Sequence, residues 1–258
     1  MAVLTVKNLS KSFGGITAVS GINMEVDEGI IAGVIGPNGA GKTTFFNLLT
    51  GIYTPTTGDI TYELGKVVKT KGLKPHKTSG YGIARTFQNI RLFKEMTVME
   101  NVLLGYHCNL KYSVLSSFFR LPSFFKGEKE AEAEALKLLE VLGLADKKYE
   151  LSKNLPYGEQ RKLEIARALA SKPKVLLLDE PAAGMNPQET KELTELIRYI
   201  RKEFELTIIL IEHDMSLVMD ICEKIFVFDY GKLIANGTPQ EVQNNPEVVK
   251  AYLGEEDE

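Results

Sequence analysis

The chain has only two cysteines, Cys108 and Cys222, and neither lies in a metal-ligand spacing. Two are too few for a disulfide framework, so a reducing cytosol is the expected compartment. No apolar run approaches the ~20 residues that a membrane-spanning helix needs. Met1-Ala2-Val3-Leu4-Thr5-Val6-Lys7 has no basic start, apolar h-region or cleavage site, so no secretory signal is expected. A basic excess is missing as well: 31 Lys and Arg stand against 34 Asp and Glu, for a net charge of -3. General affinity for nucleic acid usually shows as such an excess, so no nucleic-acid partner is expected. Internal repeats, which would signal a solenoid or array, are also lacking.

What is present is ample apolar material. Hydrophobic residues make up 44% of 258 and charged residues 25%, enough for one large domain or two small ones. Ile22, Met24 and Val26 alternate with Asn23 and Glu25, the period of a half-buried strand. Three continuous apolar runs follow at wide intervals, Ile30–Ile35, Val175–Leu178 and Ile208–Ile211. Such runs suit strands buried on both faces of a mostly parallel sheet, and the helical patterns between them make the base fold α/β.

The stretch from about Asn89 to Leu155 contains no strand-like run. Glu128 to Leu142 is rich in Ala, Glu, Leu and Lys and is followed by Gly143, a helix with its C-cap. This stretch reads as a helical insert between parts of the α/β core. Asn186-Pro187-Gln188-Glu189 and Thr238-Pro239-Gln240-Glu241 each offer an N-cap, a proline at the first helical position and Glu at the third. Asn245-Pro246 marks a further helix start, and Asp229-Tyr230-Gly231 a late β-hairpin. Glu255–Glu258 reads as a solvated acidic tail.

Gly36-Pro37-Asn38-Gly39-Ala40-Gly41-Lys42-Thr43 fits G-x-x-x-x-G-K-S/T between an apolar strand and a helix that begins with Thr44. Its glycines let the backbone curl and approach an anion closely. The helix start presents free N–H groups and a positive dipole end to phosphates. Lys42 can reach the β- and γ-phosphates of ATP, and the Thr43 hydroxyl can ligate Mg²⁺. Val175–Leu178 ends in Asp179-Glu180, which puts two carboxylates at the carboxyl edge of the sheet, where open α/β sheets bind ligands. Asp179 would hold Mg²⁺ through water, and Glu180 would polarise the attacking water.

Leu155-Pro156-Tyr157-Gly158-Glu159-Gln160 precedes a helical run from Arg161 to Leu169. The order of P-loop, Gln88 after Arg85-Thr86-Phe87, a Leu-x-x-Gly-Glu segment, Asp179-Glu180-Pro181 and His213 after Ile211-Glu212 resembles the ATPase subunits of ABC transporters. The match covers nearly the whole chain. The resemblance implies a P-loop NTPase core with a mostly parallel sheet, an antiparallel β subdomain and a helical insert. On that pattern residues 1–88 form the β subdomain and P-loop core, 89–157 the helical subdomain, 158–235 the rest of the α/β core and 236–258 a C-terminal helical segment.

It further implies that two cassettes pair head to tail, with ATP between the P-loop of one and the Leu155, Gly158 and Glu159 signature of the other. Phe13 falls where an aromatic ring stacks on adenine, although a core Phe fits that position nearly as well. Gln88 occupies the place that touches Mg²⁺ and the water and reports to membrane subunits. His213 would contact the γ-phosphate and steady Glu180.

The chain departs from that family's usual pattern at three positions. Pro156 and Tyr157 stand where Ser and Gly are usual, so the hydroxyl that touches the γ-phosphate across the dimer is absent. Asn186 ends the segment where Asp is usual, and serves either as a helix N-cap or in cross-dimer contacts. The segments Leu155–Arg167, Asp179–Pro187 and Asn236–Gly254 resemble the LivG-type ATPases of bacterial branched-chain amino acid importers. That likeness implies transmembrane permease subunits, a second ATPase subunit (a heterodimer, or alternatively a homodimer) and, indirectly, an extracytoplasmic substrate-binding protein. It places the chain peripherally at the cytoplasmic face of the cell membrane. The competing readings are the related ATPase of lipopolysaccharide export and a soluble ABC ATPase acting on ribosomes or DNA.

Four Phe fall within eight residues at Phe118, Phe119, Phe124 and Phe125, between Arg120 and Lys126. Aromatic clusters are usually core, so packing inside the helical insert is the first expectation. Exposure would instead make the segment a surface for the bilayer or a membrane subunit.

Overall fold

The computed structural model describes residues 1–110 and 114–253; the acidic segment Glu255–Glu258 lies outside them. In chain order the strands are β1 (Ala2–Phe13), β2 (Ile16–Asp27), β3 (Ile31–Ile35), β4 (Thr57–Glu63) and β5 (Val67–Lys69). They continue with β6 (Ile83–Arg85), β7 (Val175–Asp179), β8 (Thr207–Ile211), β9 (Lys224–Asp229) and β10 (Lys232–Gly237). The helices are α1 (Lys42–Leu49), α2 (Pro75–Gly80), α3 (Val98–Tyr106), α4 (Val114–Phe118) and α5 (Pro122–Val141). After them come α6 (Tyr157–Ala170), α7 (Pro187–Glu203), α8 (Met215–Ile221), α9 (Pro239–Gln243) and α10 (Pro246–Leu253).

The chain divides into two compact units, Met1–Arg85 with Lys174–Glu258, and Thr86–Pro173. The first unit holds two sheets. One is antiparallel, ordered β2-β1-β4-β5, and the other is ordered β10-β9-β3-β8-β7-β6. In the second sheet β9, β3, β8, β7 and β6 are parallel, and β10 pairs antiparallel with β9 through the turn at Tyr230 and Gly231. Every residue of β3, β7 and β8 is buried, which is why these strands read as unbroken apolar runs. In β2 Ile22, Met24 and Val26 are buried, matching their period of two, and Val19 is buried ahead of them.

Helix α1 joins the two sheets. Its Phe45, Phe46, Leu48 and Leu49 belong to one buried cluster with Val6, Ile60 and Tyr62 of the antiparallel sheet and Val34, Ile209 and Phe228 of the other. The Tyr62 hydroxyl donates to Leu49 O at 3.2 Å, and complete burial holds the phenol neutral far above its ordinary range.

The second unit is helical. Between residues 89 and 155 its described residues contain no strand, only an isolated bridge between Thr97 and Leu151. Val98, Met99 and Val102 of α3, Ala131, Ala135 and Leu139 of α5, and Leu163 and Ile165 of α6 are buried. Helix α5 runs to Val141, with Gly143 at φ 68 just beyond its end. The unit extends to Pro173, so α6 belongs to it, whereas the division expected from sequence ends the helical part at 157. The apolar stripe of α6 packs with helices α3 and α5, and sequence spacing alone does not say which sheet or bundle such a stripe faces.

The Phe segment departs from the first expectation. Phe118, Phe119 and Phe125 are exposed, so the cluster is not a core.

Candidate functional site

The parallel strands of the first unit bring the sequence motifs to one edge. Val34 of β3 pairs with Ile211 of β8, and Ile211 pairs with Asp179 of β7, so three neighbouring strands end level with one another. The carboxyl end of β3 carries the P-loop, that of β7 carries Glu180, and that of β8 carries the Glu212-His213 pair.

The loop Gly36–Gly41 is shaped by glycines at two places that no side chain could occupy. Gly36 has φ 148, and a Cβ there would lie 2.0 Å from Phe228 O. Gly41, the N-cap of α1, has φ 95, and its Cβ would lie 2.4 Å from Ala18 O. Lys42 Nζ donates to Gly36 O at 2.6 Å and to Pro37 O at 2.9 Å, so the ammonium lies inside the curl of the loop. Burial lowers the Lys42 pKa, and the Glu180 and Asp179 carboxylates oppose that shift. A buried ammonium inside a cradle of backbone amides, at the N-terminal end of a helix, fits a polyphosphate. Thr43 and Thr44 open that helix.

Asp179 is buried and bound by Arg85 at the end of β6, whose Nη2 donates to Oδ2 at 2.6 Å. The other arm of the same guanidinium, Nη1, donates to Asn47 Oδ1 at 2.7 Å, tying α1 to the two strand ends. In the sequence Arg85 stands only as a neighbour of Gln88, with nothing to mark this role. Strand β6 has only three residues, too short to show as a periodic run.

Among the described residues no group of three His, Cys, Asp or Glu could hold a metal. A Mg²⁺ ion here would take one carboxylate, Asp179, the Thr43 hydroxyl and phosphate oxygens, the sparse ligand set this ion accepts. Bound so, it would neutralise charge developing on the phosphates.

Glu180 adopts φ 46, a left-handed backbone uncommon outside glycine, and its N–H donates to Ile211 O at 2.9 Å. A strained carboxylate at the mouth of a phosphate loop is the pattern that marks functional positions. Glu212 is fully buried; its Oε1 accepts from Ala182 N at 2.7 Å and its Oε2 from His213 N at 3.1 Å. Burial raises its pKa, with those N–H donors opposing. Glu212 thus joins the turn after β7 to the turn after β8, a link absent from the sequence reading. His213 is held through its backbone while its side chain stays largely exposed. Asp214 caps α8 by accepting from Ser216 N and Leu217 N.

Phe13 is exposed rather than core, with Tyr53 edge-on at 5.1 Å and Lys11 Nζ 4.9 Å from its ring centre. Asn186 accepts from Glu189 N and N-caps α7 in a reciprocal capping box, and Thr238 does the same for α9. Helix α10 flanks the P-loop: a cleft of about 880 Å³ has Pro37, Asn38, Gly39 and Ala40 on its lining together with Glu247, Lys250 and Ala251.

Gln88, Leu155, Gly158 and Glu159 belong to the second unit. Pro156 is the N-cap of α6, so Gly158 lies in its first turn. Leu155 is buried, and Glu159 makes a two-pronged ion pair with Lys147 at 2.6 and 2.7 Å. The fully buried Arg161 donates through Nη1 to Phe87 O at 2.7 Å and Glu164 Oε2 at 2.8 Å, and through Nη2 to Gln88 O at 2.8 Å. Sequence reading missed this pair, although an Arg and a Glu at i and i+3 on an apolar helix face could have pointed to it.

The family model described as ABC transporter matches residues 19–183, and that described as Branched-chain amino acid ATP-binding cassette transporter matches residues 232–258. The high-affinity branched-chain amino acid transport ATP-binding protein LivG of Escherichia coli is 49% identical over 253 residues, 98% of each chain. BraF of Pseudomonas aeruginosa, with the same description, is 47% identical over 98% of each chain. The lipopolysaccharide export system ATP-binding protein LptB of Haemophilus influenzae is 34% identical over 99% of each. A crystal structure of the ADP conformation of an ATP-binding cassette of an ABC transporter superposes with a TM-score of 0.84 at 33% identity, covering 99% of this chain and 100% of that one.

Proposed function

The chain belongs to the ABC transporter family, and we propose on that footing that it is the ATP-hydrolysing subunit of an importer for branched-chain, hydrophobic amino acids. The observation that carries this is likeness along the entire chain, including the C-terminal segment beside the P-loop, to branched-chain amino acid transport ATP-binding proteins. The lower identity to the lipopolysaccharide-export protein favours the importer over that reading.

The work of this chain follows from its residues. The backbone of Gly36–Gly41, Lys42, Thr43 and Thr44 binds the phosphates of ATP, and Phe13 gives the adenine an aromatic face. Asp179 and Thr43 would hold Mg²⁺, a role the family pattern extends to Gln88. Glu180 takes a proton from the attacking water as it approaches the γ-phosphate, and His213 steadies that geometry. Gly158 and the N-terminal end of α6 face the nucleotide of a second cassette. Pro156 supplies no hydroxyl there, which supports a partner of different sequence.

Among the described residues no helix is long and apolar enough to cross a membrane. On the likeness to importer ATP-binding proteins, translocation is assigned to separate permease subunits, with this chain peripheral at the cytoplasmic face and an extracytoplasmic binding protein delivering substrate. The test is purification of the chain from its native membranes in mild detergent. Two apolar permease subunits and a second cassette should copurify, and hydrolysis should respond to binding protein loaded with a branched-chain amino acid. Recovery with ribosomes, or with lipopolysaccharide-export components, would overturn the reading.

A further inference from the structure

Phe118, Phe119, Leu121 and Phe125 expose 79%, 65%, 47% and 58% of their surface. Phe118 closes α4, Phe125 lies in the first turn of α5, and the turn between is fixed by its own hydrogen bonds. Leu121 N donates to Ser116 O at 3.0 Å, Arg120 N to Ser117 O at 3.3 Å and Phe124 N to Leu121 O at 2.9 Å. The Ser116 and Ser123 hydroxyls are bonded to each other across it. Phe118 and Phe119 meet edge to face at 5.1 Å, and so do Phe124 and Phe125 at 5.4 Å. Phe118, Phe119 and Phe125 thus stand exposed together around one hydrogen-bonded turn, an apolar feature of the kind that marks contact with a partner.

Charge says which partner. No Asp or Glu occurs between Glu100 and Glu128, in a chain that has 34 of them. Arg120 and Lys126 are exposed on either side of Leu121 and Phe125. Lys126 lies 3.9 Å from Glu130, an exposed pairing too weak to remove its charge from the surface. A cleft of about 400 Å³ in the same unit is lined by Tyr106, Asn109, Ser123, Lys126 and Glu130. Exposed aromatic rings flanked by Arg120 and Lys126, on a segment without acidic residues of its own, suit the boundary between acyl chains and anionic headgroups.

We infer that this face docks on the surface of an anionic bilayer, with Phe118, Phe119 and Phe125 entering the headgroup boundary and Arg120 and Lys126 meeting lipid phosphates. This contact is the chain's own and goes beyond its proposed seat on permease subunits.

The experiment uses the full chain alone, floated with vesicles of phosphatidylcholine or of phosphatidylcholine and phosphatidylglycerol in equal parts. The chain should float with the anionic vesicles and not the neutral ones. Phe118→Ser with Phe119→Ser, and separately Arg120→Gln with Lys126→Gln, should each cut that partition about tenfold or more. Hydrolysis of ATP should stay unchanged in both. No flotation of the unaltered chain, equal flotation of the Phe variant, or equal binding to both vesicle types would each overturn the proposal. A Phe variant that floats normally but no longer copurifies with permease subunits would also overturn it, by assigning the patch to a protein. Because no permease is present in flotation, its failure leaves the importer reading standing.

Discussion

Arg161 holds Gln88 by its main chain: the guanidinium donates to the Gln88 carbonyl at 2.8 Å and to that of Phe87 at 2.7 Å. The helix that opens at Pro156 therefore fixes the backbone of the glutamine segment. Glu164 completes the arrangement, accepting from Arg161 at 2.8 Å and from the N–H groups of Phe87 and Arg91 at 3.4 and 3.3 Å. Removing one member of a fully buried ion pair strands the other and costs about 3–5 kcal/mol. Arg161→Met should lower the thermal midpoint by several degrees. Arg161→Met with Glu164→Met should recover part of the loss, because no buried charge is left behind. Calorimetry of the two variants checks this, and equal midpoints would deny the coupling.

Arg85 is the corresponding anchor in the first unit. It reaches Asp179 with one arm and Asn47 with the other, a fork that lysine cannot reproduce. Arg85→Lys should keep the charge yet loosen Asp179. The expected result is a higher Mg²⁺ concentration for half-maximal hydrolysis, with ATP affinity in the absence of metal unchanged. Titrating metal against activity measures the first, and calorimetric titration the second.

Glu212 gives the fold a pH dependence of defined sign. Burial raises its pKa in the folded chain, so the folded state keeps the proton to higher pH than the unfolded chain does. The associated stability is fully present below the unfolded value, about 4.3, and is lost as pH rises toward the folded value. Glu212→Gln cannot ionise and keeps an acceptor for Ala182 N–H. Urea unfolding from pH 4 upward should show wild type losing stability relative to this variant. Parallel curves would contradict the assignment.

Pro156 bears on dimer formation. One hydrogen bond to a charged phosphate is worth about 1.5–3 kcal/mol, so a homodimer lacking it at both sites forgoes about 3–6 kcal/mol. Pro156→Ser, added to Glu180→Gln, should strengthen ATP-driven homodimerisation as measured by sedimentation. Equal association of the proline and serine forms would make the missing hydroxyl irrelevant.

Much of this arrangement was legible before the structure. Strands buried on both faces, such as β3 and β8, announce themselves as unbroken apolar runs, and the caps at Asn186 and Thr238 are written in four residues each. The P-loop was legible because its glycines, Lys42 and Thr43 fall at fixed spacing in eight consecutive residues, although the atoms that exclude a side chain at Gly36 and Gly41 come from distant segments. The buried charges were not. Arg85 and Glu212 are recognisable only once distant segments meet, since a charge in sequence is normally a solvated one, and Arg161 and Glu164 leave only the hint of their i, i+3 spacing. The exposed Phe rings misled for the opposite reason: composition argues for burial, and only the turn at Arg120 sets them outward.

Glu180 tests the central claim most directly. Its strained backbone at φ 46 sets a carboxylate at the strand edge that carries the P-loop. Single-turnover hydrolysis by Glu180→Gln, with ATP binding measured on the same protein, separates chemistry from binding. The account expects unchanged affinity and a hydrolysis rate lower by roughly 10²–10⁴-fold, the usual contribution of a general base. Near-normal turnover with intact binding would remove Glu180 from that role and contradict the account.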